Sequence, residues 1–374
     1  MTSFYPLTRS TTLLGKASLA MALGGLIALL IMGASDNAHL IFSMSFFTAA
    51  GVSLMPNLRK GAYSFWIICA VVAALTYPQY FTKIGDFNLK NLIVPLLQII
   101  MFGMGTAMSL KDFVSVARMP KAVGIGLACQ LTIMPIVGFC IAYSFNFPPE
   151  IAAGIILVGC SPSGLASNVM AYISKSNLAL SVSLTAVATL LAPITTPLLM
   201  KIFAGEFIPI DFWAMMWSIT KIVILPIIAG LIFNHLLHGK ATWLDRAMPI
   251  VSMLGIGIII VVITAAGREH LLEIGLALVL ASFIHNILGY VLGYNACRLF
   301  NLDEKSRRSI AFEVGMQNSG LASGIALEMG RVATLGLAPS VFGPMMNVTG
   351  SSLASFWKSR PIDNDEEASI VKTS

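Results

Sequence analysis

Apolar residues along this chain come in long runs, and most polar residues fall in the short gaps between them. A run of about 20 apolar residues is what a helix needs to cross the hydrocarbon of a bilayer, where every backbone hydrogen bond must be satisfied within the protein. Read in that unit, the chain predicts twelve spanning helices, at about 15–33, 38–56, 62–80, 91–110, 121–145, 151–173, 177–202, 213–236, 247–266, 271–299, 306–327 and 332–357. Two of the runs carry a break in their middle. Val158–Ser167 reads VGCSPSGLAS and Val314–Ser323 reads VGMQNSGLAS, identical at seven of ten positions and offset by 156 residues.

Composition agrees with the pattern. Hydrophobic residues make up 57% of the 374 and charged residues 11%, against about a quarter charged in a soluble domain. The lipid bilayer is therefore the main partner. The net charge of +6 does not point to nucleic acid, because Lys and Arg stand singly between apolar runs and form no patch. Assigned alternately along the loops, seventeen Lys and Arg fall on one side of the membrane and five on the other, which puts both termini in the cytoplasm. The five cysteines, Cys69, Cys129, Cys140, Cys160 and Cys297, lie within runs without CxxC spacing and read as small buried hydrophobes. The first run also fits a signal peptide with Met32-Gly33-Ala34 as a poor cleavage site, but a second apolar run follows almost at once and favours an uncut span. Residues 358–374 have no apolar periodicity and are expected to be disordered.

The breaks carry the candidate chemistry. Pro162 removes a backbone donor, and Gly159, Gly164, Gly315 and Gly320 weaken the helix at matching positions. Both spans are thus expected to be discontinuous, and unwound backbone at membrane depth is tolerated only in protein or along a cavity. From the sixth span to the eleventh is an odd step, so the second copy runs in the opposite sense, as in transporters built from inverted repeats. Close packing of small residues would explain the glycines but not Pro162, Glu313, Gln317 and Asn318. Glu313 is the one acid of seventeen set well inside an apolar run, where a carboxylate is costly unless paired or given a cation. The bland alternative is a protonated Glu used as interhelical glue. Ser181 and Thr185, at i and i+4, share a helix face soon after the first break, near Ser167 and Asn168. Oxygens of this kind suit a hard monovalent cation. Lys221 lies about 12 Å into its span at 1.5 Å per residue; it reads as a snorkelling residue beside Trp213 and Trp217, or as a holder of an anion.

The stretches IMFGMGTAMSLKDF, GLACQLTIMP, ILVGCSPSGLASNVMAYISKSNLALSVSLTAVATLLAP and EVGMQNSGLA resemble the bile acid:sodium symporter family, collinearly over about 62–357. The resemblance implies an all-α polytopic membrane protein of two inverted five-helix repeats with crossed discontinuous helices. Residues 1–61 then form an extra N-terminal transmembrane hairpin, 62–357 the ten-span fold, and 358–374 a cytoplasmic tail. Within the fold, a core domain of about 121–202 and 271–357 moves against panel helices of about 62–110 and 213–266. Carried over residue by residue, a first sodium site comprises Ser167, Asn168, Ser181, Thr185 and Glu313. A second comprises Gln130, Glu313 and Gln317 with the carbonyls of Val314 and Met316. The substrate is expected near Asn318 and Asn347 and beside Leu165. Two departures fall on that side: Ser163-Gly164-Leu165 stands where the family often has Gly-Gly-Thr, and Met346 precedes Asn347 where a histidine is common.

The reading is a sodium-coupled symporter, importing an organic anion of bile-acid or pantoate-like kind by alternating access. It uses two sodium ions and neither an organic cofactor nor another metal, and is expected as a monomer in a bacterial inner membrane. A proton-coupled efflux carrier or a channel is the alternative; a proton needs no cage of oxygens, so Gln130, Ser181 and Thr185 argue against it. An enzyme fits worst, since the histidines are scattered and no nucleophile–base pair is apparent. His285-Asn286 reads as interhelical hydrogen bonding.

Overall fold

The computed structural model describes residues 14–24, 38–55, 62–108, 116, 118–237, 242–360 and 362. The loop around Asn37, the stretch holding Lys111, His238 and Lys240, and the expected tail beyond 362 lie outside the described residues.

Among the described residues, helix occupies most of each apolar run. The described helices are α1 (Leu14–Gly24), α2 (Ala38–Leu54), α3 (Ala62–Thr76), α4 (Gln79–Thr82), α5 (Ile93–Ala107), α6 (Pro120–Ser144), α7 (Pro149–Cys160), α8 (Leu165–Ile173), α9 (Leu178–Phe203), α10 (Phe212–Ile219), α11 (Leu225–Leu237), α12 (Thr242–Ala266), α13 (Arg268–Leu299), α14 (Glu304–Gly315), α15 (Ser319–Glu328) and α16 (Leu337–Lys358). Among the described residues, six stretches are long and apolar enough to cross a membrane unaided. The two runs with breaks are not among them, because each is split into two short helices.

Two local features depart from a plain helical reading. Pro78 ends α3 early, and after α4 the chain makes a small antiparallel hairpin of β1 (Lys83–Ile84) and β2 (Phe87–Asn88). Gly85, with φ +58°, supplies its left-handed turn. Between α10 and α11 one turn widens to π geometry over Thr220–Ile224, so that Leu225 N–H bonds Thr220 O. Pro226 follows directly; it has no N–H to give the carbonyl four residues back, and a widened turn relieves its clash with that carbonyl.

The chain divides into two compact units. The first comprises residues 1–89 and 260–268, the second 90–259 and 269–374. In the first, α2 packs on α3 through Phe42, Phe46, Trp66 and Tyr77, and His39 Nδ1 meets the Tyr77 hydroxyl at 2.5 Å. Arg268 donates to the Leu75 carbonyl at the end of α3. In the second, α5 lies against α11 with glycines at the contact: a Cβ on Gly105 would strike the Ile227 carbonyl, and one on Gly230 the Phe102 carbonyl. Helices in lipid gain attraction by such close backbone approach. The same unit holds α6 to α9 and α14 to α16, and with them both breaks. Four of the five cysteines are buried, as small hydrophobes would be; Cys140 is exposed.

Candidate functional site

The site is built on the two breaks. The first separates α7 from α8 at Ser161–Gly164, the second α14 from α15 at Met316–Asn318. Asn318 Oδ1 accepts from Leu321 N–H and caps α15, whereas Gly164 begins α8 with no side-chain cap. The breaks run antiparallel past each other and pair as a single bridge, Ser163 with Gln317. Gly164 N–H donates to Met316 O at 3.3 Å and Asn318 N–H to Pro162 O at 2.7 Å. Backbone groups freed by unwinding are thus satisfied across the crossing, as the low dielectric demands.

Glu313, on the last turn of α14 before its break, is 0% exposed. Three hydroxyls donate to its carboxylate: Ser163 to Oε2 at 2.5 Å, Thr185 to Oε2 at 2.8 Å and Ser181 to Oε1 at 2.6 Å. No cationic side chain pairs with it among the described residues. The Asn168 amide oxygen also lies 2.8 Å from Ser181 Oγ and 3.2 Å from Thr185 Oγ1. Each hydroxyl has one proton to give. Once Ser163, Ser181 and Thr185 have given theirs to Glu313, Asn168 Oδ1 faces two oxygens with no proton between. Ser167 Oγ, which donates to Gly164 O, stands 3.5 Å from Thr185 Oγ1. With Glu313 as a carboxylate the cluster has more oxygens than protons, so its chemistry fits a small hard cation.

All five residues expected at a first ion site, Ser167, Asn168, Ser181, Thr185 and Glu313, are therefore together. The residues of the second are less connected. Gln130 on α6 is 2% exposed and neither atom of its amide finds a hydrogen-bond partner; Gln317 is 0% exposed and its Oε1 is likewise unpartnered. Val314 O accepts from Gln317 Nε2 at 2.6 Å, and Met316 O from Gly164 N–H. Buried amide oxygens without donors are costly, and a cation would satisfy them.

A cavity of about 750 Å³ opens beside the cluster. Asn168 and Thr185 line it, so two residues of the oxygen cluster also border this space. Leu165 lines it too, but Asn318 and Asn347 do not. Asn347 donates back to Gly343 O within its own helix, and Asn318 caps α15 while its Nδ2 stays unpartnered. The rest of the wall holds Met104, Met108, Met248 and Met253 with the neutral polar residues Thr106, Asn234 and Ser252, and no charged side chain among the described residues. Lys221 is exposed and does not line it. His285 Nε2 meets Met134 O at 2.9 Å, and Asn286 donates to Gly315 O and accepts from Thr349, so this pair ties helices together as expected.

Sequence reasoning missed Ser163, which it took only as a departure from the family pattern. Its signal was present: it is one of the seven positions shared by the two breaks. The neutral polar wall residues Thr106, Asn234 and Ser252 left no such signal, since isolated hydroxyls and amides on spans usually bond their own helix.

Comparison with known proteins follows the same lines. A profile of the family described as "Sodium Bile acid symporter family" matches residues 94–274. The chain is 42% identical over 299 residues, 80% of its length and 91% of the relative's, to a Bacillus subtilis (strain 168) protein named "Uncharacterized sodium-dependent transporter YocS". Arabidopsis thaliana contributes "Probable sodium/metabolite cotransporter BASS1, chloroplastic", 33% identical over 297 residues, 79% of this chain and 73% of the relative. The BASS3 protein of the same plant, similarly named, is 30% identical over 352 residues, 93% of this chain and 78% of the relative.

Proposed function

The chain belongs to the sodium bile acid symporter family, and from that premise we propose that it is a sodium-coupled symporter importing a small organic anion by alternating access. The observation that carries the proposal is the Glu313 cluster. A fully buried carboxylate faces hydroxyl and amide oxygens that outnumber the available protons. The names of its relatives, a sodium-dependent transporter and sodium/metabolite cotransporters, support the same ion.

In this proposal sodium is cargo. One ion is held by Ser167, Asn168, Ser181, Thr185 and Glu313, a second by Gln130, Glu313, Gln317 and the Val314 and Met316 carbonyls. The organic anion occupies the cavity that Leu165, Asn168 and Thr185 share, with Asn318 and Asn347 available nearby as the crossing rearranges. Among the described residues the wall offers no cationic side chain, and the bound sodium charge offsets that of the anion. A bile-acid or pantoate-like body suits the methionine-rich remainder, because thioether side chains adapt to irregular apolar shapes. The antiparallel pairing of the breaks supports two inverted repeats whose core, about 121–202 and 271–357, moves against panel helices of about 62–110 and 213–266. Residues 1–61 form an added hairpin, 358–374 a cytoplasmic tail, and the monomer lies in a bacterial inner membrane with both termini inside.

The test is thermal unfolding of the purified protein with a panel of organic acids, in sodium or in potassium at equal ionic strength. A ligand that binds only the folded state raises the midpoint. We expect stabilisation by sodium alone, and a larger shift for the correct acid in sodium than in potassium. Equal behaviour in the two salts would remove sodium coupling and favour a proton-coupled carrier or a channel.

A further inference from the structure

Each half-helix that follows a break ends in the same way. At the end of α8, Lys175 N–H bonds Tyr172 O and Ser176 N–H bonds Ala171 O; at the end of α15, Gly330 N–H bonds Leu327 O and Arg331 N–H bonds Ala326 O. Lys175 and Gly330 take the left-handed conformation, φ +56° and +72°. Both ends are Schellman turns. From each turn a side chain reaches the first turn of the other broken helix.

At the α8 end the reach is neutral. Asn177 Nδ2 donates to Ser306 Oγ at 3.3 Å, and Ser309 Oγ donates to Asn177 O at 2.8 Å, both serines lying on α14. At the α15 end it is ionic. Arg331 pairs with Glu150 in the first turn of α7, and Thr334 Oγ1 donates to the other Glu150 oxygen. One turn along α7, a Cβ on Gly154 would crowd the Leu335 carbonyl, so the contact is tight. The two broken helices are thus tied at three places, by backbone at the crossing and by one clasp at each end.

We propose that Glu150 and Arg331 are positioning residues for the ion cluster, fixing the register in which α7 and α15 bring Ser163 and Gln317 together. This rests on the sodium reading above. Glu150 stands about 16 Å from the break, eleven residues at 1.5 Å each, so it acts through the rigid helix and touches no ion. The two clasps are not equivalent. The Asn177 clasp is a set of neutral hydrogen bonds. The Glu150–Arg331 pair leaves about a third of each side chain exposed, 34% and 31%, which limits its effect to a few-fold in an equilibrium. Each charge also suits its own helix end, acid at the start of α7 and base after the end of α15. Removing one partner therefore leaves no misplaced charge, and the variants should fold.

The experiment follows the thermal midpoint of the purified protein against sodium chloride, with choline chloride holding ionic strength constant and sodium as the only ligand. Glu150→Gln and Arg331→Gln are expected to raise the half-saturating sodium concentration about two- to fivefold, with midpoints in choline close to wild type. Thr334→Val should give a smaller rise in the same direction. The reversal Glu150→Arg with Arg331→Glu should recover part of the loss, only part because the charges then oppose the helix dipoles. A sodium dependence unchanged in both single variants would overturn the proposal, as would lowered midpoints in choline without a shift in the sodium curve. Failure of the wild type to respond to sodium would instead overturn the sodium reading, and the clasp's role with it.

Discussion

Glu313 concentrates the energetics of the site. A buried carboxylate without a countercharge has lost its hydration, and three donated hydroxyl bonds return only part of it. The expected consequence is that Glu313→Ala abolishes sodium-dependent uptake and Glu313→Gln fails nearly as badly, by about a hundredfold in activation by sodium, since an amide oxygen is a ligand without charge. Full sodium dependence in the Gln variant would make Glu313 structural. Ser163→Ala keeps the carboxylate and removes one bond to it, worth about 1.5–3 kcal/mol for a charged acceptor, so the sodium curve should shift but persist. Glu313, Ser181 and Thr185 were legible in the sequence, the first as the lone acid at depth and the others as an i, i+4 hydroxyl pair. Ser163 was marked only as a position shared by the two breaks; its bond to Glu313, 150 residues away, was not legible, because no local pattern records that pairing.

At the scale of elements, the breaks were legible and the reasons for their glycines were not. Gly159, Gly164, Gly315 and Gly320 read alike in sequence, as helix-weakening residues at matching positions. In the structure they differ: a Cβ on Gly159 would strike the Met134 carbonyl, and one on Gly315 the ring of Tyr290, whereas at Gly164 the nearest atom is 3.5 Å away. Gly164 also has extended backbone, φ −110°, that alanine adopts freely. Gly159→Ala and Gly315→Ala should therefore destabilise the protein by about 1–3 kcal/mol through overpacking, seen as lowered thermal midpoints. Gly164→Ala should stay within about 1 kcal/mol of wild type. Equal losses at all three would mean that helix propensity, not space, governs these positions. The small β hairpin and the π turn escaped the hydropathy pattern, since one depends on Gly85 and the other on Pro226 within otherwise ordinary runs.

For the whole molecule, the shared wall matters most. Asn168 and Thr185 belong both to the oxygen cluster and to the cavity, so ordering them around an ion shapes the space for a second ligand. Sodium should then raise the affinity for the organic anion, and the anion must raise sodium affinity by the same factor. Titration calorimetry of an acid found in the stability screen, at several sodium concentrations, measures that factor; about tenfold corresponds to 1.4 kcal/mol of coupling. Thr185→Ala should reduce it. Identical anion affinity with and without sodium would separate the cavity from the ion cluster.

By itself the sequence determined the class of molecule, because a bilayer accepts only chains whose apolar runs match its thickness, and it marked both breaks, because glycine, proline and amides are expensive in such runs. It also singled out Glu313 on the same ground of cost. Only the tertiary structure decided that the breaks bond to each other, that Ser163 donates to the Glu313 carboxylate, that a cavity opens on Asn168 and Thr185, and that Glu150 meets Arg331. Those facts depend on which distant segments pack together. Hydropathy reports a residue's preference for lipid over water, and that preference is nearly the same whichever helix the residue finally touches.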